Sequence, residues 1–246
     1  MSGLTLFLLS VALYAGIPLL IATRRTRFRF ALLYGHIAGV LTLGGLLGAV
    51  YVLPLTGDVA LLAGQVAYGA FMFSTMVTVI VGRDLQVVRN VIVLTVSVDT
   101  LVYLIFRISQ AALSSSGIPD PLGVPSSIFD QSLRIVVSGG LLIIAELLLL
   151  LGILEVAKRR LPSAAMAPVY LLAYVGILTL DGVLFPALVL LPPDGLGAFI
   201  RSGVEAKFLL AVAFSVPLGL FVAAYRPTLL RFEATELHLH TLISAS

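Results

Sequence analysis

The chain has 246 residues, 60% of them hydrophobic and only 11% charged, with a mean hydropathy of +1.14. Soluble globular domains carry about 25% charged residues, so this composition excludes one and describes an all-α, polytopic membrane protein with short loops. The net charge of +3 comes from flanking loops and gives no argument for nucleic acid, and the absence of cysteine removes disulfides, thiolate metal sites and cysteine nucleophiles.

A crossing of the hydrocarbon core needs about 20 predominantly apolar residues. The sequence offers seven such spans: Leu4–Thr23, Ala31–Leu53, Val59–Val81, Val91–Leu113, Ile135–Val156, Ala165–Leu191 and Leu196–Tyr225. The first has no basic segment ahead of it and no cleavage-like site before Arg24, so it reads as a retained helix rather than a signal peptide. Tryptophan is absent, which leaves Tyr14, Tyr34, Tyr51, Tyr170 and Tyr225 for the interfacial belts. Residues 1–226 form the transmembrane domain, and 227–246 a short tail whose helical spacing suits an interfacial helix or a connector to a signalling partner.

Orientation follows from the cations. Arg24, Arg25, Arg27 and Arg29 lie in loop 1–2, Arg83 and Arg89 in loop 3–4, Lys158, Arg159 and Arg160 in loop 5–6, and Arg226 and Arg231 in the tail. These eleven of the fifteen cations share one side, which the positive-inside rule makes cytoplasmic. The expectation is therefore an outside N-terminus, a cytoplasmic C-terminus and a multi-pass protein of the cell membrane. The opposite loops carry Asp58, Asp120, Asp130 and Asp194. The long connection Ser114–Leu133 is rich in Pro and Gly and reads as a loop over the outer mouth, and Pro192-Pro193 as a tight turn.

A charge at bilayer depth costs about 2.5–3.5 kcal/mol on insertion scales and marks a functional position. The charges left inside the spans are Asp99, Arg107, Arg134, Glu146, Asp181, Arg201, Glu205 and Lys207. Counted from the span ends, Glu146, Asp181 and Lys207 lie nearest the midplane, whereas Arg107, Arg134 and Arg201 lie near the outer ends, where long side chains reach water. Lys207 is one of two lysines, and the other sits in a basic loop. Glu205 is two residues away, so it points to nearly the opposite side of the helix, and Lys207 needs Asp181 or Glu146 on another span. Gly203, one turn earlier, is read as leaving space beside the amine.

These residues admit two readings: buried pairs that only hold the bundle together, or a polar pocket between spans 4 and 7, open to the outer side. In span 3, Gln65, Tyr68, Thr75 and Thr78 either line such a pocket or bond their neighbours, and His36 reads as a packing residue. Pro186 and Pro217 are expected to kink spans 6 and 7. No Walker loop, Gly-x-Ser-x-Gly elbow or HExxH occurs, so the expectation is a protein that is not an enzyme and holds no metal.

The second half of the chain resembles the vitamin-uptake-like proteins, which include queuosine-precursor transporters and vitamin uptake-like sensor domains. Three patches carry the resemblance: Arg134-Ile-Val-Val-Ser138 followed by Glu146, Leu180-Asp181-Gly-Val-Leu-Phe185, and Lys207-Phe-Leu-Leu with Val216-Pro217 after it. The resemblance implies that Arg134, Ser138, Glu146, Asp181 and Lys207 face a ligand pocket. Where span 3 of the transporters carries an aspartate, this chain has Met76-Val77-Thr78, and the acid before the final lysine is Glu205. Both departures favour a sensor over a transporter.

On these grounds the expected ligand is a small polar, heteroaromatic molecule. Lys207 and Asp181 hydrogen-bond it, Glu146 and Ser138 orient it, Arg134 guards the entrance, and Glu205 and Asp99 are further candidates. No cofactor is expected on this reading. A lone lysine in the seventh span is also similar to the microbial rhodopsins, whose lysine holds retinal as a Schiff base; Lys207 would then carry retinal, with Asp181, Glu146 or Asp99 as counterion. Against it stand the missing tryptophans and Gly203, at the position where the rhodopsins' last helix bears its acid.

Overall fold

The computed structural model describes the chain except residues 1, 25–26, 48–49, 57–58, 116, 122, 130–132, 163–164, 191–195 and 244–246, with backbone alone at 47, 56, 127, 133–135, 189–190, 198–199 and 225–243. Asp58, Asp130, Asp194, Arg25 and the Pro192-Pro193 turn thus lie outside the described residues, as does the side chain of Arg134.

Seven long helices form the bundle: α1 (Gly3–Thr23), α2 (Arg29–Leu47), α3 (Ala63–Gly82), α4 (Gln86–Leu113), α5 (Leu133–Arg160), α6 (Met166–Leu184) and α7 (Leu196–Ile243). All seven are long and apolar enough to cross a membrane. Their outward faces are apolar: Leu172 is 71% exposed, Leu220 69% and Ile108 69%. In water such a surface would be unstable, and in lipid it is the expected exterior. The chain is a seven-helix, multi-pass membrane protein.

The bundle is organised around α3, of which 83% of the span is buried against 17–44% of the other six. It packs against α1, α2, α4, α6 and α7. A central helix needs small side chains and self-satisfied polar groups, and α3 has both. Ser74, Thr75 and Thr78 donate to the carbonyls of Ala70, Phe71 and Ser74 at 2.7, 2.9 and 2.7 Å, so their hydroxyls need no partner elsewhere.

Several element bounds differ from the spans expected above. Span 2 ends as helix at Leu47, and span 3 begins as helix only at Ala63. Between them, β1 (Val52–Thr56) and β2 (Val59–Leu62) form an antiparallel hairpin, Leu53 opposite Leu61. Pro54 and the β-branched residues of Val52–Leu62 disfavour helix while staying apolar, so hydropathy alone joined them to the spans. Gln65 secures the restart: its Oε1 accepts from the Leu62 N–H at 3.0 Å.

In span 6 the α-helix gives way at Phe185–Leu190 to a π-helical turn containing Pro186, which lacks the N–H the regular ladder requires. The residues read as a separate tail continue α7 as helix to Ile243. At 1.5 Å per residue its 48 residues measure about 72 Å, well beyond the roughly 40–45 Å of a whole bilayer.

The loop after α4 folds back on that helix through a 3-10 turn, Ser126–Phe129, whose Phe129 ring meets Phe106 edge-on at 5.4 Å. At the basic end, Lys158 Nζ donates to the Arg83 carbonyl at 2.5 Å, so the third and fifth connections meet. Arg83 itself closes α3 in the left-handed conformation (φ 54°). His36 of α2 bonds the backbone of Tyr14 on α1, while its Nε2 is buried without a hydrogen-bond partner among the described residues.

Candidate functional site

Four helices bring their polar side chains to one point. Lys207 of α7 forms an ion pair with Asp181 of α6, both about 5% exposed. Tyr68 of α3 donates its hydroxyl to Glu146 Oε2 of α5. The Lys207 amine lies over the Tyr68 ring, 4.2 Å from its centroid, which adds a cation–π contact. Glu146 interacts electrostatically with both Asp181 and Lys207, so the four side chains form one connected cluster. Lys207 is eleven residues into α7, about 16 Å from its start and thus near half the roughly 30 Å hydrocarbon depth.

Two glycines make the ion pair possible. A Cβ at Gly203 would stand 2.6 Å from the Gly182 carbonyl oxygen, and one at Gly182 would stand 2.8 Å from the Gly203 carbonyl oxygen. The α6 and α7 backbones therefore touch where neither has a side chain, as membrane helices do at small residues. Asp181 precedes one glycine, and Lys207 follows the other by one turn, so the same crossing joins the charges. The space expected beside the amine at Gly203 is filled by the α6 backbone and Pro186.

Tyr174 of α6 donates to the Gly69 carbonyl at 3.1 Å, which fixes α6 against α3 next to Tyr68. Below the cluster, Phe73, Tyr174 and Phe214 stack as an aromatic layer. Phe73 meets Tyr174 edge-on at 6.5 Å and Phe214 at 5.4 Å. Tyr174 and Phe214 lie two turns from Asp181 and Lys207 towards the basic end, and both are fully buried, so that side is sealed. On the opposite side Tyr68 is only half-buried.

Within this cluster Glu146 is 1% exposed, and its Oε1 has no hydrogen-bond partner among the described residues. A buried acceptor left in that state costs roughly 1–3 kcal/mol, more for a charged group. The cluster can thus offer a ligand one unoccupied acceptor, flanked by an ammonium, a second carboxylate and a phenol.

The other expected site residues fall elsewhere. Glu205 pairs with Arg201 one turn away at 2.9 Å on the outer face of α7, where both are exposed. Asp99 of α4 is half-buried and faces Gly140 of α5, 3.5 Å from where a Cβ would stand, one turn from the buried, unpartnered Thr95 hydroxyl. Ser138 is half-buried on α5, two turns before Glu146. The fourth wall of the cluster is therefore α3, where α4 was expected. Tyr68 was noted in the sequence only as one of several polar residues of span 3. Its signal was an aromatic hydroxyl next to the glycine at 69, one turn into a helix that also carries Gln65, Ser74, Thr75 and Thr78.

Neither a curated protein nor a solved structure matches the chain. The sequence profile described as vitamin uptake-like sensor matches residues 15–222, which runs from within α1 to within α7 and includes all four members of the cluster. The chain belongs to the vitamin uptake-like sensor family.

Proposed function

We propose that this protein is a non-enzymatic membrane sensor that binds a small polar, heteroaromatic molecule at the Tyr68–Glu146–Asp181–Lys207 cluster. The observation that carries the reading is the buried, unpartnered Glu146 Oε1. A cluster serving only to hold helices together gains by satisfying its lone pairs, since each orphan weakens the assembly. A ligand N–H donated to Glu146, with ring acceptors towards Lys207, completes the network. Ser138 and Asp99 lie along the approach from the end away from the basic loops, and Arg134, in the first turn of α5, stands at its entrance. Occupancy is passed to a cytoplasmic partner through α7, which carries Lys207 and continues beyond the bilayer.

The test is a thermal-melting screen of the purified protein against deazapurines, nucleobases and water-soluble vitamins. A ligand at 100 times its Kd stabilises by about 2.7 kcal/mol, well within detection. The expected result is a hit that disappears in Glu146→Gln, whose own melting stays close to wild type because the amide oxygen still accepts from Tyr68. A panel with no hit, together with a visible band on adding retinal that is lost in Lys207→Ala, overturns the reading in favour of a retinal protein.

A further inference from the structure

Away from the polar cluster, a groove of about 670 Å³ lies on the outer face of α5. Two adjacent rows at four-residue spacing line it: Leu148, Gly152, Val156 and Arg160 on one side, with Leu149 and Ile153 heading the other. Such rows are the ridges of a helix surface, and a furrow runs between them. Gly152 deepens it, because a Cβ there would meet nothing within 4 Å. From Leu148 to Arg160 is twelve residues, about 18 Å, or one leaflet of hydrocarbon plus the start of the headgroups.

The charged end of the groove points to its occupant. Three basic residues close α5, and two are engaged: Lys158 donates to the Arg83 carbonyl, and Arg159 pairs with Glu155. Arg160 is exposed, lines the groove, and has no hydrogen-bond or ion-pair partner among the described residues. A guanidinium is a bidentate phosphate binder, and here it stands one acyl-chain length from the groove's far end. We propose that this groove binds one anionic phospholipid, with an acyl chain along the furrow and the headgroup phosphate on Arg160. Arg160 also lies on the side where the basic loops gather, which the charge rule assigns to the anionic leaflet.

The experiment uses the full chain in detergent, with native mass spectrometry and melting as readouts. The probes are phosphatidylglycerol and phosphatidylcholine with identical chains, and inorganic phosphate. The expected result is retained phosphatidylglycerol and a larger melting shift with it than with phosphatidylcholine or phosphate. Arg160→Gln should reduce that preference roughly fivefold. Gly152→Leu should fill the furrow and lose both lipids, with unchanged melting in their absence. Equal binding of the two lipids by the wild type overturns the proposal, and so does a preference that survives Arg160→Gln. A dimer that Gly152→Leu dissociates also overturns it, since the groove would then seat a second copy.

Discussion

Helix α7 contributes to two ion pairs, with Glu205 of one only two residues from Lys207 of the other, and they differ in almost every physical respect. Arg201–Glu205 lies along one face of one helix, exposed, with each partner free to exchange its bond for water. Lys207–Asp181 joins two helices and is about 5% exposed, so each charge depends on its partner and the surrounding cluster for the stabilisation that water would have given. Two residues of separation on a helix turn a side chain through more than half a circle, enough to move it from lipid and solvent to the core. Proximity in sequence to a functional charge is thus a poor guide to participation. The face is the better one.

The comparison is broken most directly by removing one member of the buried pair. Lys207→Met leaves Asp181 without a counter-charge and is expected to destabilise by about 3–5 kcal/mol, read as a lowered melting point in detergent. Adding Asp181→Leu to that variant should restore most of the loss, because the cost lies in the stranded charge. If the double variant melts no higher than the single, the pair contributes through packing rather than charge.

The next largest effect tests the crossing that creates the pair. Gly203→Val places methyl groups against the Gly182 carbonyl and Pro186, so α6 and α7 must part. The expectation is a loss of about 3 kcal/mol, the upper end for overpacking, with a broadened size-exclusion profile. Tyr68→Phe removes the one donor to Glu146 Oε2 while keeping the ring over Lys207. It should cost about 1–2 kcal/mol and weaken ligand binding more than it lowers melting. At the bottom of the series, Arg201→Gln should leave both melting and ligand binding unchanged within error. A clear loss of binding there would bring Glu205 and Arg201 back into the site.

Much of this was legible in the sequence, for identifiable reasons. Seven apolar stretches and the loop arginines define a membrane bundle because the bilayer tolerates few alternatives. Lys207, Glu146 and Asp181 stand out because a charge in an apolar span has no inexpensive explanation. The hairpin at Val52–Leu62 was not legible, since hydropathy reports burial in lipid and not backbone conformation. Nor was the role of Tyr68, whose partners are 78 and 139 residues away, the kind of pairing that only the packed helices reveal. Gly203 was read from one helix alone as empty space. Its neighbour on α6 decided otherwise.

The aromatic layer of Phe73, Tyr174 and Phe214 has a bearing on what kind of signal the protein could carry. On the ligand-binding reading proposed above, that layer shuts the basic side beneath Lys207 and Asp181 and would make the site a cul-de-sac: a molecule that reaches the cluster would leave by the side it entered. Occupancy of a cul-de-sac settles to the concentration in the one compartment it opens on, irrespective of gradients across the bilayer. That is the behaviour of a gauge, and a pump would need those three rings to swing apart once in every cycle.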